Sequence, residues 1–418
     1  MSTATAAGRG FGRAAGTLST GVGVAGLLTY VFFSLASHNL GAHAYGEIVV
    51  LWSAVFVTIS VLHRPVEQFI SRSVAEHRER GEPFGGTLRT AATLQAGICA
   101  MFFLVALLAR GPLEDELLSG NTTLYWIYVT SVLCFAASFF ARGYLAGRGG
   151  FGILAALLVC ESAARTTFAL AVAIGITEGQ NAIALGVVAA PIFSLVVVPF
   201  ALVRLRRPEE VAVGDGKGVD AKRLARGGAF AGAVFAIMLS EQVFLNTGPL
   251  LARAFEDASI AGFIFNVLMV ARAPLLVFQG VAISLLPHLT RLRSRGDSTG
   301  AEAFAVSIST TVRAIAAFTA LVAAIVAIAG PTLMQLAFSK EFDYDLADLL
   351  IVTAAMGSYL TATTLTQAAL AQGKARHAAM AWLACAGAFF AWSLLPIVAE
   401  IDLRIELGFA FGAAVLAL

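Results

Sequence analysis

The chain has 418 residues, of which 58% are hydrophobic and only 13% charged, and its mean hydropathy is +0.83. Those values exclude an ordinary soluble globular domain. The formal net charge of +2 says little about partners, because the charges are sorted along the chain.

About 20 apolar residues in a helix cross the roughly 30 Å hydrocarbon layer of a bilayer. In chain order, segments of that kind fall at 16–37, 46–62, 87–108, 124–145, 152–174 and 181–203. A polar linker intervenes, and the series resumes at 229–250, 260–286, 308–330, 346–370 and 377–398. A twelfth, 407–418, is a stub. Twelve helical residues reach about 18 Å, too short to cross unless the helix begins in the polar stretch before it or the natural chain runs on.

The loops between these segments alternate in charge. With the N-terminus inside, 21 of the 28 basic residues fall on one side, including the central linker, while the opposite loops hold acidic clusters such as Glu114-Asp115-Glu116 and Asp343, Asp345 and Asp348. This bias predicts a cytoplasmic N-terminus and a cytoplasmic linker. Ala42-His43-Ala44 mimics a signal-peptidase site, but a first segment followed at once by further spans reads as a retained helix. Cys99, Cys134, Cys160 and Cys385 all lie in apolar segments without CxxC spacing, which points to small apolar packing.

The sequence is written twice. RERGE at 78–82 follows the second span and RSRGD at 293–297 follows the eighth; LAGRGGF begins at Leu145 after the fourth span and LAQGKARH at Leu370 after the tenth. These offsets predict an N-terminal six-helix bundle over 1–203, a cytoplasmic linker over 204–228 and a C-terminal bundle over 229–418. An even number of spans per half gives both halves the same orientation, and in transporters so built the substrate site lies between the halves near mid-bilayer. The linker's GDGKG at 214–218 lacks the spacing of a phosphate-binding loop.

LGAHAYG at 40–46, ISRSVAEHRERGE at 70–82, LAGRGGFG at 145–152 and LLPHLTRLRSRG at 285–296 together resemble the polysaccharide exporters of the multidrug/oligosaccharidyl-lipid/polysaccharide (MOP) flippase superfamily. The resemblance runs over nearly the whole chain. It implies an all-α polytopic membrane protein of about twelve transmembrane helices in two pseudo-symmetric six-helix bundles, like the MATE transporters. It implies no enzyme activity and no cofactor or metal. The expected setting is a bacterial inner membrane, the expected cargo a lipid-linked glycan, and the expected partners membrane lipids with glycosyltransferases or a polymerase of the same pathway rather than nucleic acid.

Ionisable groups deep in a membrane are costly and usually face a cavity or a partner. Glu161, Arg165, Glu241 and Arg272 are the four deepest. Glu161 and Arg165, at i,i+4, form an intramembrane ion pair or else line a cavity. Arg272 has no opposite charge within one turn of its own helix, which suits binding of a pyrophosphate or acidic sugar by a planar guanidinium; the structural reading has Glu241 neutralise it from the neighbouring helix. Gln242, Asn246 and Asn266 either line the same cavity or bond across helices. Arg64 and Arg72 either snorkel to the cytoplasmic interface or form a gate or headgroup contact.

Three functions remain open on these residues. One is a flippase for a lipid-linked saccharide, favoured by the cationic loops and by Arg272. Another is a cation-coupled multidrug or small-molecule antiporter, for which Glu161 and Glu241 offer proton sites. The last is an integral-membrane glycosyltransferase, which the short external loops argue against.

Overall fold

The computed structural model describes residues 2–199, 221–269 and 298–418. All regular elements among them are helical. The first half holds α1 (Ser2–Asn39), α2 (Ala42–Leu62), α3 (Arg64–Arg80), α4 (Gly85–Leu108), a π-helical turn (Pro112–Leu117), α5 (Thr122–Gly147), α6 (Phe151–Ala173) and α7 (Gln180–Ser194). The second holds α8 (Ala221–Phe255), α9 (Ala258–Met269), α10 (Ser298–Ala337), α11 (Leu346–Ala371), α12 (Ala375–Leu394) and α13 (Ile401–Ala417). Ten of the described helices are long and apolar enough to cross a bilayer, and the chain is a multi-pass membrane protein.

Two compact units result. The first comprises Met1–Leu40 with Val50–Arg226, the second Gly41–Val49 with Gly227–Leu418. The first turns of α2 therefore pack with the second unit. Part of the helix pairing recurs among the described residues: α4 with α5, α5 with α6 and α7, and α6 with α7 in the first unit; α10 with α11, α11 with α12 and α13, and α12 with α13 in the second, while α1 with α6 and α3 with α5 pack in the first unit alone. Most of the expected linker, and the loop carrying RSRGD, lie outside the described residues.

Each unit is centred on aromatic rings. In the first, Trp52 stacks on Phe56 at 4.0 Å and meets Phe33 edge-on at 5.1 Å. In the second, Phe244 stacks on Phe389 at 5.3 Å, with Tyr359, Trp382 and Phe409 around them. The first unit also has a seam where two backbones touch. A Cβ at Gly143 would lie 2.7 Å from the Glu67 carbonyl oxygen, and one at Gly147 2.7 Å from that of Ser71, so this GxxxG run of α5 seats α3 directly. At the far end of α3, Gly81 of RERGE takes φ 66° and returns its N–H to the helix's last carbonyls, which stops the helix. There Arg78 donates to the carbonyl of Arg148, so two of the motif loops meet.

Three spans differ from the sequence reading. The stub at 407–418 belongs to a helix that begins at Ile401, 17 residues long. The polar residues Asp402, Arg404 and Glu406 join the apolar run in this helix, with Glu400 as its extended N-cap. Helix α10 starts ten residues ahead of the expected 308 and runs to Ala337. The chain after the second span continues as α3, broken from α2 at His63 because Pro65, in the first turn of α3, lacks the N–H that helix continuation requires. The four cysteines are unpaired thiols.

Candidate functional site

A charged cluster lies buried in the first unit. Glu161 on α6 meets Arg142 on α5 in an ion pair and accepts the Ser138 hydroxyl at 3.3 Å. One turn along α6, Arg165 is 2% exposed. Its guanidinium donates to Thr29 Oγ1 of α1 at 3.1 Å, approaches Ser162 Oγ at 3.4 Å, and lies over the Trp52 ring at 4.3 Å. Its Nε and Nη1, and Nε of Arg142, meet no acceptor. Glu67 on α3 adds a second carboxyl whose charge acts on Arg142 and Glu161.

This corrects the expected staple. Glu161 is close enough for its charge to act on Arg165, yet its ion pair is interhelical, with Arg142. The i,i+4 spacing puts the two on one face of α6, but an aromatic platform and a hydroxyl from α1 take the guanidinium the other way. A cation held over an aromatic face without water gains about 2 kcal/mol. Arg142, which the span 124–145 places near a cytoplasmic helix end, lies inside α5 and is only 14% exposed.

The other candidates divide. Arg72 pairs with Glu76 at 3.3 Å on the surface of α3, each about half exposed, and contributes at most about 1 kcal/mol. Arg64 opens α3, where its charge acts on Glu67. Gln242 and Asn246 hydrogen bond to each other along α8 at 2.9 Å, both buried, and Glu241 is half-buried beside them. Asn266, fully buried, is held between the hydroxyls of Tyr45 and Tyr344, so its amide joins three segments of the second unit. Arg272 lies outside the described residues.

The second unit has an open cavity of about 750 Å³ beside that tyrosine pair. Its wall is acidic, with Glu341, Asp343, Asp345, Asp348 and Asp402, and the ring of Phe263 supplies an apolar side. Burial pushes the Tyr344 phenol above its usual range, so it stays neutral there. At the same end, His43 lies 3.2 Å from Asp257. Partial burial works against that carboxyl, but hydrogen bonds from the Ser259 side chain and the Ala258 and Ser259 backbone, together with His43, hold it below its ordinary value.

Sequence reasoning missed Arg142, Thr29 and Trp52 around Arg165, and Tyr45 and Tyr344 around Asn266. Only Tyr45 had a signal, as part of LGAHAYG. The rest are ordinary residues made polar partners by tertiary packing.

Neither a protein-family model nor a curated protein sequence matches the chain. Solved structures do. An inward-facing multidrug resistance MATE family transporter of the MOP superfamily superposes with a TM-score of 0.76 at 11% identity, over 94% of this chain and 92% of that one. The fold is that of the MATE transporters. A Vibrio cholerae MATE transporter gives 0.66 at 17% identity, covering 97% of this chain and 95% of its own. A Pyrococcus furiosus MOP superfamily transporter, described as having a binding pocket of reversed polarity, gives 0.64 at 12% identity over 97% and 93%. At these identities the likeness is one of fold, and it covers the two-bundle arrangement from end to end.

Proposed function

We propose that this protein is a transporter that moves an anionic, lipid-linked saccharide from the cytoplasmic to the outer leaflet of a bacterial inner membrane by alternating access. The observation that carries the reading is Arg165. Burying a guanidinium without a full set of acceptors costs several kcal/mol, and although the carboxyls of Glu161 and Glu67 lie in the same cluster, Nε and Nη1 of Arg165 and Nε of Arg142 meet no acceptor. Donors left open in a fixed fork match phosphate oxygens. Opening of the first bundle would bring a pyrophosphate to Arg165 and Arg142, and Arg272 is proposed separately as a substrate-binding residue. Glycosyltransferases or a polymerase would supply and consume the cargo, and the chain itself is assigned no catalytic step.

The test is leaflet-specific labelling of a lipid-linked glycan in cells depleted of the protein, complemented with wild type, Arg165→Lys or Arg272→Ala. Loss of external glycan, uncorrected by either variant, supports the proposal. Normal external glycan together with new sensitivity to cationic drugs would assign the protein to the antiporter class instead. That second reading has its own observation, since the acidic cavity of the second unit suits a cation better than a phosphate.

A further inference from the structure

The two cations of the buried cluster are positioned by groups other than the carboxylate that pairs with one of them. The Arg165 guanidinium lies over the Trp52 ring at 4.3 Å and donates to Thr29 Oγ1. That of Arg142 lies over the Phe139 ring at 4.6 Å. A ring face beneath each cation attracts it whether or not a carboxylate is present. Glu161 is the movable member. The contacts from Arg142 Nη2 and from the Ser138 hydroxyl both fall on one of its oxygens, Oε2, at the end of a side chain with three rotatable bonds. One turn along the same face of α6, Arg165 keeps Nε and Nη1 open. A carboxylate that left Arg142 would therefore find a second cation on its own helix, and the two open donors suffice for Glu161 and one ligand oxygen together.

We propose that Glu161 is the resident anion of this cluster, which sits on Arg142 while no cargo is bound, yields Arg142 to a pyrophosphate by turning towards Arg165, and takes it back on release. The inference rests on the transport reading and adds how the site lets go. Buried arginines with spare donors bind phosphate well and release it poorly. A carboxylate tethered beside them competes at an effective concentration on the order of millimolar or above, and so supplies the return step. The same competition selects the cargo. A carboxylate on the saccharide would replace Glu161 like for like and gain nothing, whereas a phosphate brings about 1.5–2 negative charges at neutral pH and three acceptor oxygens. The anion recognised is the phosphate end of the cargo rather than an acid on its sugar. Glu67 carries a further carboxyl in the cluster, but the ion pair to Arg142 is made by Glu161.

The test is equilibrium binding of farnesyl pyrophosphate, and of farnesoic acid as the same tail ending in a carboxylate, to the full-length protein at pH 8. Glu161→Gln should bind farnesyl pyrophosphate at least about tenfold more tightly than the wild type, because a like charge facing the ligand is gone. It should also bind farnesoic acid, which the wild type rejects. In cells the same variant should lose external glycan, since loading improves while release fails. A carboxylate with a purely structural role predicts the opposite sign in binding, so unchanged or weakened affinity overturns the proposal, as does wild-type binding of both probes with equal affinity. If Glu161→Gln yields no monodisperse protein, Glu161→Asp keeps the charge, shortens the reach to Arg142 by one methylene, and should tighten binding by a smaller factor; no gain there is equally fatal. Glu67→Gln removes a carboxyl without breaking the ion pair and should tighten binding less than Glu161→Gln. Equal tightening would show that total charge, not the place on Arg142, is what the ligand meets. Arg165→Lys separates the two readings. If it leaves farnesyl pyrophosphate binding untouched, or if no variant binds that probe, the transport reading fails and this one with it; if it weakens binding while Glu161→Gln does not tighten it, only the resident-anion assignment fails.

Discussion

The two units share part of a helix-pairing scheme and bury opposite chemistry. In the first, the interior holds two arginines with donors to spare and a carboxylate engaged between helices. In the second, the described interior holds amides, phenols and the carboxyl of Glu406, whose oxygens meet no donor. The polar interior need not follow the helix pairing, since a buried charge is fixed by its few neighbours rather than by the scaffold.

The largest test of this contrast is Glu161→Gln, which breaks the buried ion pair with Arg142 and leaves Glu67 as the carboxyl acting on that arginine. We expect a loss of about 3–5 kcal/mol, the cost of breaking a buried pair, read as a fall in melting temperature or in the yield of monodisperse protein. Glu406→Gln in the second unit breaks no such pair and should cost little. Equal losses from the two substitutions would erase the difference between the units.

A smaller effect compares how tightly the helices approach. Gly147→Ala pushes a methyl against a backbone carbonyl that cannot move, whereas Gly357→Ala on α11 meets the side chain of Thr319, which can. The first should cost about 1–3 kcal/mol and the second less. The reverse order in thermal unfolding would show that the α3–α5 seam tolerates separation.

The helices α5 and α11, equivalent in the packing scheme, are both capped by a side chain. Asn121 accepts from two backbone N–H groups and Asp345 from one. Alanine at either position should cost about 1 kcal/mol, with Asn121 the more sensitive. Identical values would mean that the second bond at Asn121 contributes nothing.

Least of all should come from Asp257. Its folded-state pKa is lowered, so its contribution is present above the ordinary carboxylate value and disappears as pH falls through the lower folded value. Because the side chain is about half exposed, Asp257→Asn should change stability by less than about 1 kcal/mol, and only above that window. A melting-temperature difference that persists at acid pH would show that the carboxylate charge is not its source.

The fold was legible because hydrocarbon imposes a length and a charge bias that any sequence must obey. The spans, the two halves and the likeness to MATE transporters followed from apolar runs, arginine placement and four short motifs. The charged sites were legible only as positions. Glu161 and Arg165 stood out because charge inside an apolar run is rare. Their partners did not, since Arg142 sits near a span's end, where basic residues are common, and Thr29 and Trp52 are unremarkable in membrane helices. Glu406 escaped for a related reason. It precedes an apolar run too short to be read as a full span, so the helix that buries it was not recognisable. Asn266 was read as a candidate cavity group because nothing in one sequence reveals that Tyr45, 221 residues away, would reach it.

Helix α10 has a further implication, for the bilayer around it. Its stretch Ala301–Ala337 has 37 residues, and an 18-residue apolar segment within it is mostly not buried among the described residues. At 1.5 Å per residue the whole stretch is about 55 Å of helix against roughly 30 Å of hydrocarbon. Arg313, exposed on this helix, divides the excess. From Arg313 to Ala337 is about 36 Å, enough to span with a modest lean, and the guanidinium can snorkel to the headgroups at that depth. The turns ahead of it then lie along or beyond the headgroup layer. Membrane thickness becomes a control on this helix: short acyl chains would steepen its lean and long ones would straighten it.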